Sequence, residues 1–255
     1  WSDGDLEGWI LSRFDDVRAV LKDAKTFSSQ SMGEMKQQTI ALPLLTDDPP
    51  RHTQLRAIVN TAFTSRTLKL LESGVQELVD QLLDSIADKN TVDITADFTM
   101  PLPVAVIANM MGIPAERSED FKLWSDALTG TSEATDMAVR MPLVMEMAAY
   151  FKSLIPLRRA NPGGDLISKV VHAEIDGQGM EDQDITGFCM LLLIAGNETT
   201  TNVLSSLLYY LADHPATWQQ LKDNPDKIDA AIEEILRFDA PVQWVNRKAT
   251  CDVEF

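Results

Sequence analysis

From Asp182 to Ala212 the sequence runs without a proline and with only two glycines, Gly187 and Gly196. Such a stretch allows one helix of about 30 residues and about 45 Å, at 1.5 Å of rise per residue. Its strongly apolar part, FCMLLLIAG from Phe188 to Gly196, is far shorter than the roughly 20 residues a bilayer core requires, so no transmembrane span is expected. The run then turns abruptly polar in NETTTN, Asn197 to Asn202. Glycine within a helix costs about 1 kcal/mol relative to alanine, and buried polar groups must find partners. Local inconsistencies of this kind are expected where a site is built.

Helical spacing puts Ala195 and Thr199 on one face, with Gly196 beside them. Two minimal side chains leave space for a flat ligand against the backbone. The Thr199 hydroxyl is within reach of the Ala195 carbonyl, a bond that loosens a helix and opens a groove for water or a diatomic ligand. Glu198 supplies a carboxylate able to relay protons through water. The plainer alternative is a polar stripe that simply meets solvent or another helix, and these residues by themselves leave both open.

The remainder reads as helix after helix. Apolar spacing predicts helices over Phe14 to Asp23, His52 to Phe63, residues 65–87 with Gly74 inside, PLPVAVIANMM before Gly112, Ala115 to Leu128 and Asp136 to Arg159. NPGGD and DGQGMEDQD mark loops, and two further helices follow the prolines of HPATW and NPDK. Alternation of Val92, Ile94 and Ala96 predicts a short strand in TVDITADF, and VQWVNRKATCDVEF closes with strand character. No repeat or internal boundary divides the chain, so residues 1–255 are taken as one domain. A start at Trp1 and a stop at Phe255 within a strand-like stretch read as cuts at both ends.

Lys and Arg number 22 against 39 Asp and Glu, a formal charge of −17. A polyanionic surface repels nucleic acid and anionic lipid, so neither is an expected partner. Cys189 and Cys251, and the histidines His52, His172 and His214, fit no zinc spacing or disulfide framework, and a reducing cytoplasm is the expected compartment.

Three shorter motifs accompany the long run. In EEILRF, Glu234 and Arg237 stand three apart and are able to pair, and an exposed pair of this kind is worth less than about 1 kcal/mol. DDPPRHTQLR places His52 and Arg56 four apart on one helical face, where cationic donors suit a carboxylate. VNRKATC carries Arg247.

AGNETT resembles the A/G-G-x-D/E-T signature of the long central helix of cytochromes P450. EEILRF after the HP-punctuated connection, D-P-P-x-H-x-x-x-R, and the following arginine resemble further motifs of that family in family order. The resemblance covers nearly the whole chain. It implies a mainly α fold with small β-sheets, in which the long central helix lies over a haem b. It implies that Thr199 and Glu198 form a catalytic acid–alcohol pair delivering protons to oxygen bound there, with Ala195 and Gly196 lining the oxygen groove. His52, Arg56 and Arg247 would hold haem propionates, Glu234 and Arg237 would form a structural pair buried behind the haem, and Leu191, Ile194, Val242, Gln243 and Val245 would face substrate.

The resemblance further implies a monooxygenase that acts on a small apolar organic substrate with O2. Its electrons would come from a ferredoxin with its reductase or from a flavoprotein. The glycine-rich loop with the iron-ligating cysteine is absent, and neither Cys189 nor Cys251 matches it, so the axial cysteine is expected beyond Phe255. The amino-terminal strands are expected before Trp1, which makes the chain an internal, inactive portion of a longer enzyme. A peroxide-using family member, and a non-catalytic helical ligand-binding or interaction protein, are the competing readings.

Overall fold

The long run folds as one helix of 32 residues, Asp182–Asp213, and most other elements pack along it. The computed structural model describes residues 8–30, 42–129, 137–175 and 177–254. In chain order the helices are α1 (Phe14–Lys22), α2 (Arg51–Ala62), α3 (Ser65–Ile86), α4 (Pro101–Met111), α5 (Ser118–Thr129), α6 (Met137–Ala160), α7 (Leu166–His172), α8 (Asp182–Asp213), α9 (Pro215–Asp223) and α10 (Ile228–Phe238). Strands β1 (Phe27–Ser28) and β4 (Lys248–Ala249) make one antiparallel ribbon, and β2 (Glu174–Ile175) and β3 (Gln178–Gly179) make another. The architecture is mainly α with small sheets, as the sequence implies.

Punctuation explains most boundaries. Pro101 opens α4, where its missing N–H would have had no helical partner, and Gly112 closes it with φ +67°. Asp165 starts α7 by accepting the Ser168 N–H at 2.8 Å. Arg51 ties the start of α2 to the start of α8, meeting Asp47 at 3.0 Å and Asp184 at 2.5 Å. No helix among the described residues is long and apolar enough to cross a membrane.

Residues 92–99 depart from the sequence reading. No strand forms there; Thr95–Thr99 is a π-helical turn leading into α4. The Asp93 carboxylate accepts the N–H groups of both Thr95 and Ala96 at 3.0 Å, which caps a helical turn and overrides the short alternation. The closing segment is extended but pairs only at β4, against β1, where Thr250 N–H also donates to the Thr26 carbonyl at 2.8 Å.

The core lies between α2, α4, α5, α6, α7 and the first half of α8. Phe121, Trp124, Met111, Met147, Ile155 and Leu193 are fully buried within it. Phe121 and Phe151 meet edge to face at 6.4 Å. One flank of α8 is thereby fixed against protein, and the other is left open around Ala195 and Glu198.

Candidate functional site on the long helix

The polar island divides between two faces of α8. Inward, the buried Asn197 and Thr201 and the half-buried Ser205 follow one another at steps of four and continue the buried stripe of Ile185, Cys189 and Leu193. Asn197 Nδ2 donates to Ser125 Oγ of α5 at 2.5 Å. Thr201 Oγ1 donates to the Thr99 carbonyl at 3.2 Å and faces Asn197 Oδ1 at 3.3 Å, while Ser205 and Thr99 hydroxyls bond at 2.7 Å. Two of the island's six residues, Asn197 and Thr201, thus belong to a hydrogen-bond ladder to α5 and the π turn. The alternative of a polar stripe that meets another helix covers this ladder, although the partners Ser125 and Thr99 are not legible in the sequence.

Outward, Thr199 Oγ1 donates to the Ala195 carbonyl at 2.6 Å, the bond that the spacing predicts. Ala195 is exposed and Thr199 half-buried. The Glu198 carboxylate is exposed and makes no hydrogen bond or ion pair among the described residues. Gly196 has a different role in packing. A β-carbon there would stand 2.8 Å from Ile107 Cδ1 of α4, so the missing side chain makes room for a neighbouring helix. The space left for a flat ligand is beside Ala195.

His52 is half-buried and Arg56 exposed on α2, and neither side chain has a hydrogen-bond or ion-pair partner among the described residues. Arg247 donates to the Asn246 carbonyl at 2.7 Å, and its charge also acts on the Asp48 carboxylate. Asp48 accepts the His52 N–H on its carbonyl, which brings Arg247 into the neighbourhood of the α2 amino terminus. The His52 and Arg56 side chains, without partners among the described residues, are donors that suit the carboxylates of a haem, and the exposed Ala195 leaves space on α8 for a flat ring.

Gln243 comes next to α8 in a cavity of about 240 Å³, lined also by Asn202, Ser205, Ser206, Asp239 and Pro241. Asn202 lies three residues past Thr199 on the same helix. Leu191 and Ile194 are half-buried, Val242 and Val245 are exposed, and none of the four lines this cavity.

Glu234 and Arg237 do pair, with two bonds of 2.6 and 2.7 Å, but the expectation that the pair is buried is not met. Their side chains are 62% and 69% exposed, because α10 buries chiefly its opposite side through Ile235. Cys189 sits inside the core, where burial, helped by the Asp165 charge, pushes its thiol up to about 12. Such a thiol stays protonated at neutral pH and is no ready metal ligand. Cys251 is exposed.

Comparison with known proteins gives the family. A family model for cytochrome P450 matches residues 156–255. Substrate-free CYP109E1 from Bacillus megaterium has a TM-score of 0.91 and 35% identity, over 99% of this chain and 68% of that one. The chain belongs to the cytochrome P450 family. Within that family, CYP109E1 in complex with testosterone superposes with a TM-score of 0.89 at 35% identity, over 99% of this chain and 67% of that one. Cytochrome P450 109 of Bacillus spizizenii is 40% identical over 253 residues, which is 96% of this chain and 61% of that protein. The chain spans about 61 to 65% of the length of the curated P450 relatives it matches. A haem cofactor follows from membership in the family.

Proposed function

We propose that this polypeptide is part of a haem-thiolate monooxygenase that inserts one oxygen atom of O2 into a small apolar organic substrate. Substrate R–H, O2, two electrons and two protons give R–OH and water, so both atoms of oxygen and both electrons are accounted for. The observation that carries the reading is the outward turn of α8. There Thr199 holds the Ala195 carbonyl at 2.6 Å beside the carboxylate of Glu198, which has no partner among the described residues.

A haem b would supply the redox chemistry. His52, Arg56 and Arg247 would hold its propionates, and the small side chain of Ala195 would leave room for its ring. Thr199 and Glu198 orient water and pass protons inward from solvent, the task for which an exposed acid beside a hydroxyl is suited. The same pair favours oxygen over peroxide as oxidant, because peroxide brings its own protons. Because Cys189 is buried and protonated, and Cys251 has no glycine-rich surroundings, the thiolate ligand is assigned to a cysteine beyond Phe255. Glu234 and Arg237 are structural residues whose exposed side receives that part of the protein.

An apolar substrate is supported by the testosterone complex of CYP109E1, and by the apolar character of Leu191, Ile194, Val242 and Val245, with Gln243 as the polar contact. Electrons come from a ferredoxin and its reductase or from a flavoprotein, in the cytoplasm. The test is an absorption spectrum of the full-length protein, reduced and treated with carbon monoxide. A strongly red-shifted Soret band is expected, and a protein that stays colourless when supplied with haem overturns the proposal.

A further inference from the structure

We infer that Asn197 is a positioning residue for the Glu198–Thr199 pair, acting from the opposite face of α8 through Ser125 and Thr201. The inference rests on the proton-delivery role proposed for that pair.

Residues two apart on a helix point about 200° from each other, so Asn197 and Thr199 face opposite ways. Outward, the Thr199 hydroxyl joins the Ala195 carbonyl at 2.6 Å, and side-chain bonds of this kind weaken the backbone ladder and bend a helix. A turn softened on one side keeps its orientation only if something holds the other side.

The ladder does so, with one anchor immediately before the pair and another two residues after it. Asn197 is 3% exposed and bonds Ser125, itself fully buried on α5. Thr201 reaches the Thr99 carbonyl of the π turn and the Asn197 amide oxygen. Gly196, packed on Ile107, lets α8 approach α4 closely at the same level. Rotation or slippage of this turn would break polar bonds in a dry environment, where an unmade bond is costly. The direction in which Glu198 and Thr199 point is therefore set by α5 and the π turn.

The test uses the full-length, haem-loaded protein. Asn197→Leu keeps the branched shape and the number of side-chain heavy atoms while removing the amide, and Ser125→Ala removes the partner hydroxyl. Product formed per reductant consumed should fall about threefold to tenfold in either variant, and the double variant should be no worse than the poorer single one. Amide exchange across residues 195–201 should quicken, a readout that does not depend on turnover. In a Thr199→Ala background, Asn197→Leu should have no further effect on coupling.

Wild-type coupling in both single variants overturns the inference, as does an Asn197→Leu loss that adds in full to that of Thr199→Ala. If Asn197→Leu loses its carbon monoxide band, Ser125→Ala decides alone. Should Thr199→Ala itself remain fully coupled, the role of the pair fails, and the inference with it. Should Thr199→Ala uncouple while both single variants stay coupled, only the inference fails.

Discussion

Ile107 of α4 occupies the place that a side chain on Gly196 of α8 would take, its Cδ1 atom 2.8 Å from the position of a β-carbon there. The two helices meet at this point because one of them has no side chain. A β-carbon there moves only the terminal methyl of Ile107, so the cost of that shift offsets alanine's better helix propensity and Gly196→Ala is expected to change stability by less than about 1 kcal/mol. Denaturant unfolding of the single variant and of Gly196→Ala with Ile107→Val checks this. Ile107→Val removes the Cδ1 atom, so the double variant should be more stable than the sum of the two single changes, and strict additivity would count against the contact.

Gly112 carries a second, independent constraint. Its φ of +67° disfavours any side chain, and a β-carbon there would stand 2.7 Å from the β-carbon of Asp165. Asp165 also caps α7 and lies 3.0 Å from Arg158, which bonds the Gly112 carbonyl at 3.1 Å. Gly112→Ala should cost more than about 1 kcal/mol in an unfolding titration, because strain and displacement of the cap act together. Gly74→Ala is the control, since nothing stands within 4 Å of a β-carbon there, and it should stabilise slightly.

Much of the fold is legible in the sequence, for reasons visible at individual residues. Proline openings at Pro101 and Pro215 and the glycine stop at Gly112 bound helices whose apolar spacing is regular. The bond from Thr199 to Ala195 follows from a step of four and needs no tertiary information. Elsewhere the outcome depends on partners distant in sequence. Asn197 meets Ser125, Thr201 meets Thr99, and Gly196 meets Ile107, so a polar or minimal residue read as site-forming serves packing instead. The strand expected at Val92 to Ala96 fails for a local reason, the capping carboxylate of Asp93, which three alternating residues do not outweigh.

Cys189 and Cys251 should differ sharply in reactivity. At mildly alkaline pH the exposed Cys251 should react with an alkylating reagent, while Cys189 should react only after unfolding, its thiol pushed up to about 12 by burial. The folded value lies above the ordinary 9.0, so the folded state holds this proton more tightly than the unfolded one. Its contribution to stability is complete below pH 9.0 and is lost as pH rises toward about 12. Counting labelled cysteines by mass before and after denaturation checks the first point. Comparing alkaline unfolding with that of Cys189→Ala checks the second.

Asp48 supplies a pH dependence of the opposite sign. Burial raises its pKa, but bonds from the Ser28 hydroxyl and from the Ser29 N–H at 2.8 Å, with the Arg247 charge, outweigh burial and hold it below 3.8. The stability it contributes is present above 3.8 and is lost as pH falls through the lower folded value. Asp48→Asn should cost about 1 kcal/mol at neutral pH, and the gap to wild type should close in acid. Urea midpoints across the acid range test this, and a gap independent of pH would refute it.

The ribbon that joins Phe27 to Ala249 has a consequence for how the chain is made. Residues 27–28 leave the ribosome about 220 residues before residues 248–249, so β1 waits through the synthesis of every helix from α2 to α10 before its partner exists. Ser28 can already engage Asp48 during that interval, since both are then outside the tunnel. Strand pairing over so long a loop is slow, which makes this clasp one of the last contacts to close. An interruption of synthesis before residue 248 would therefore leave a largely helical body with β1 still unpaired.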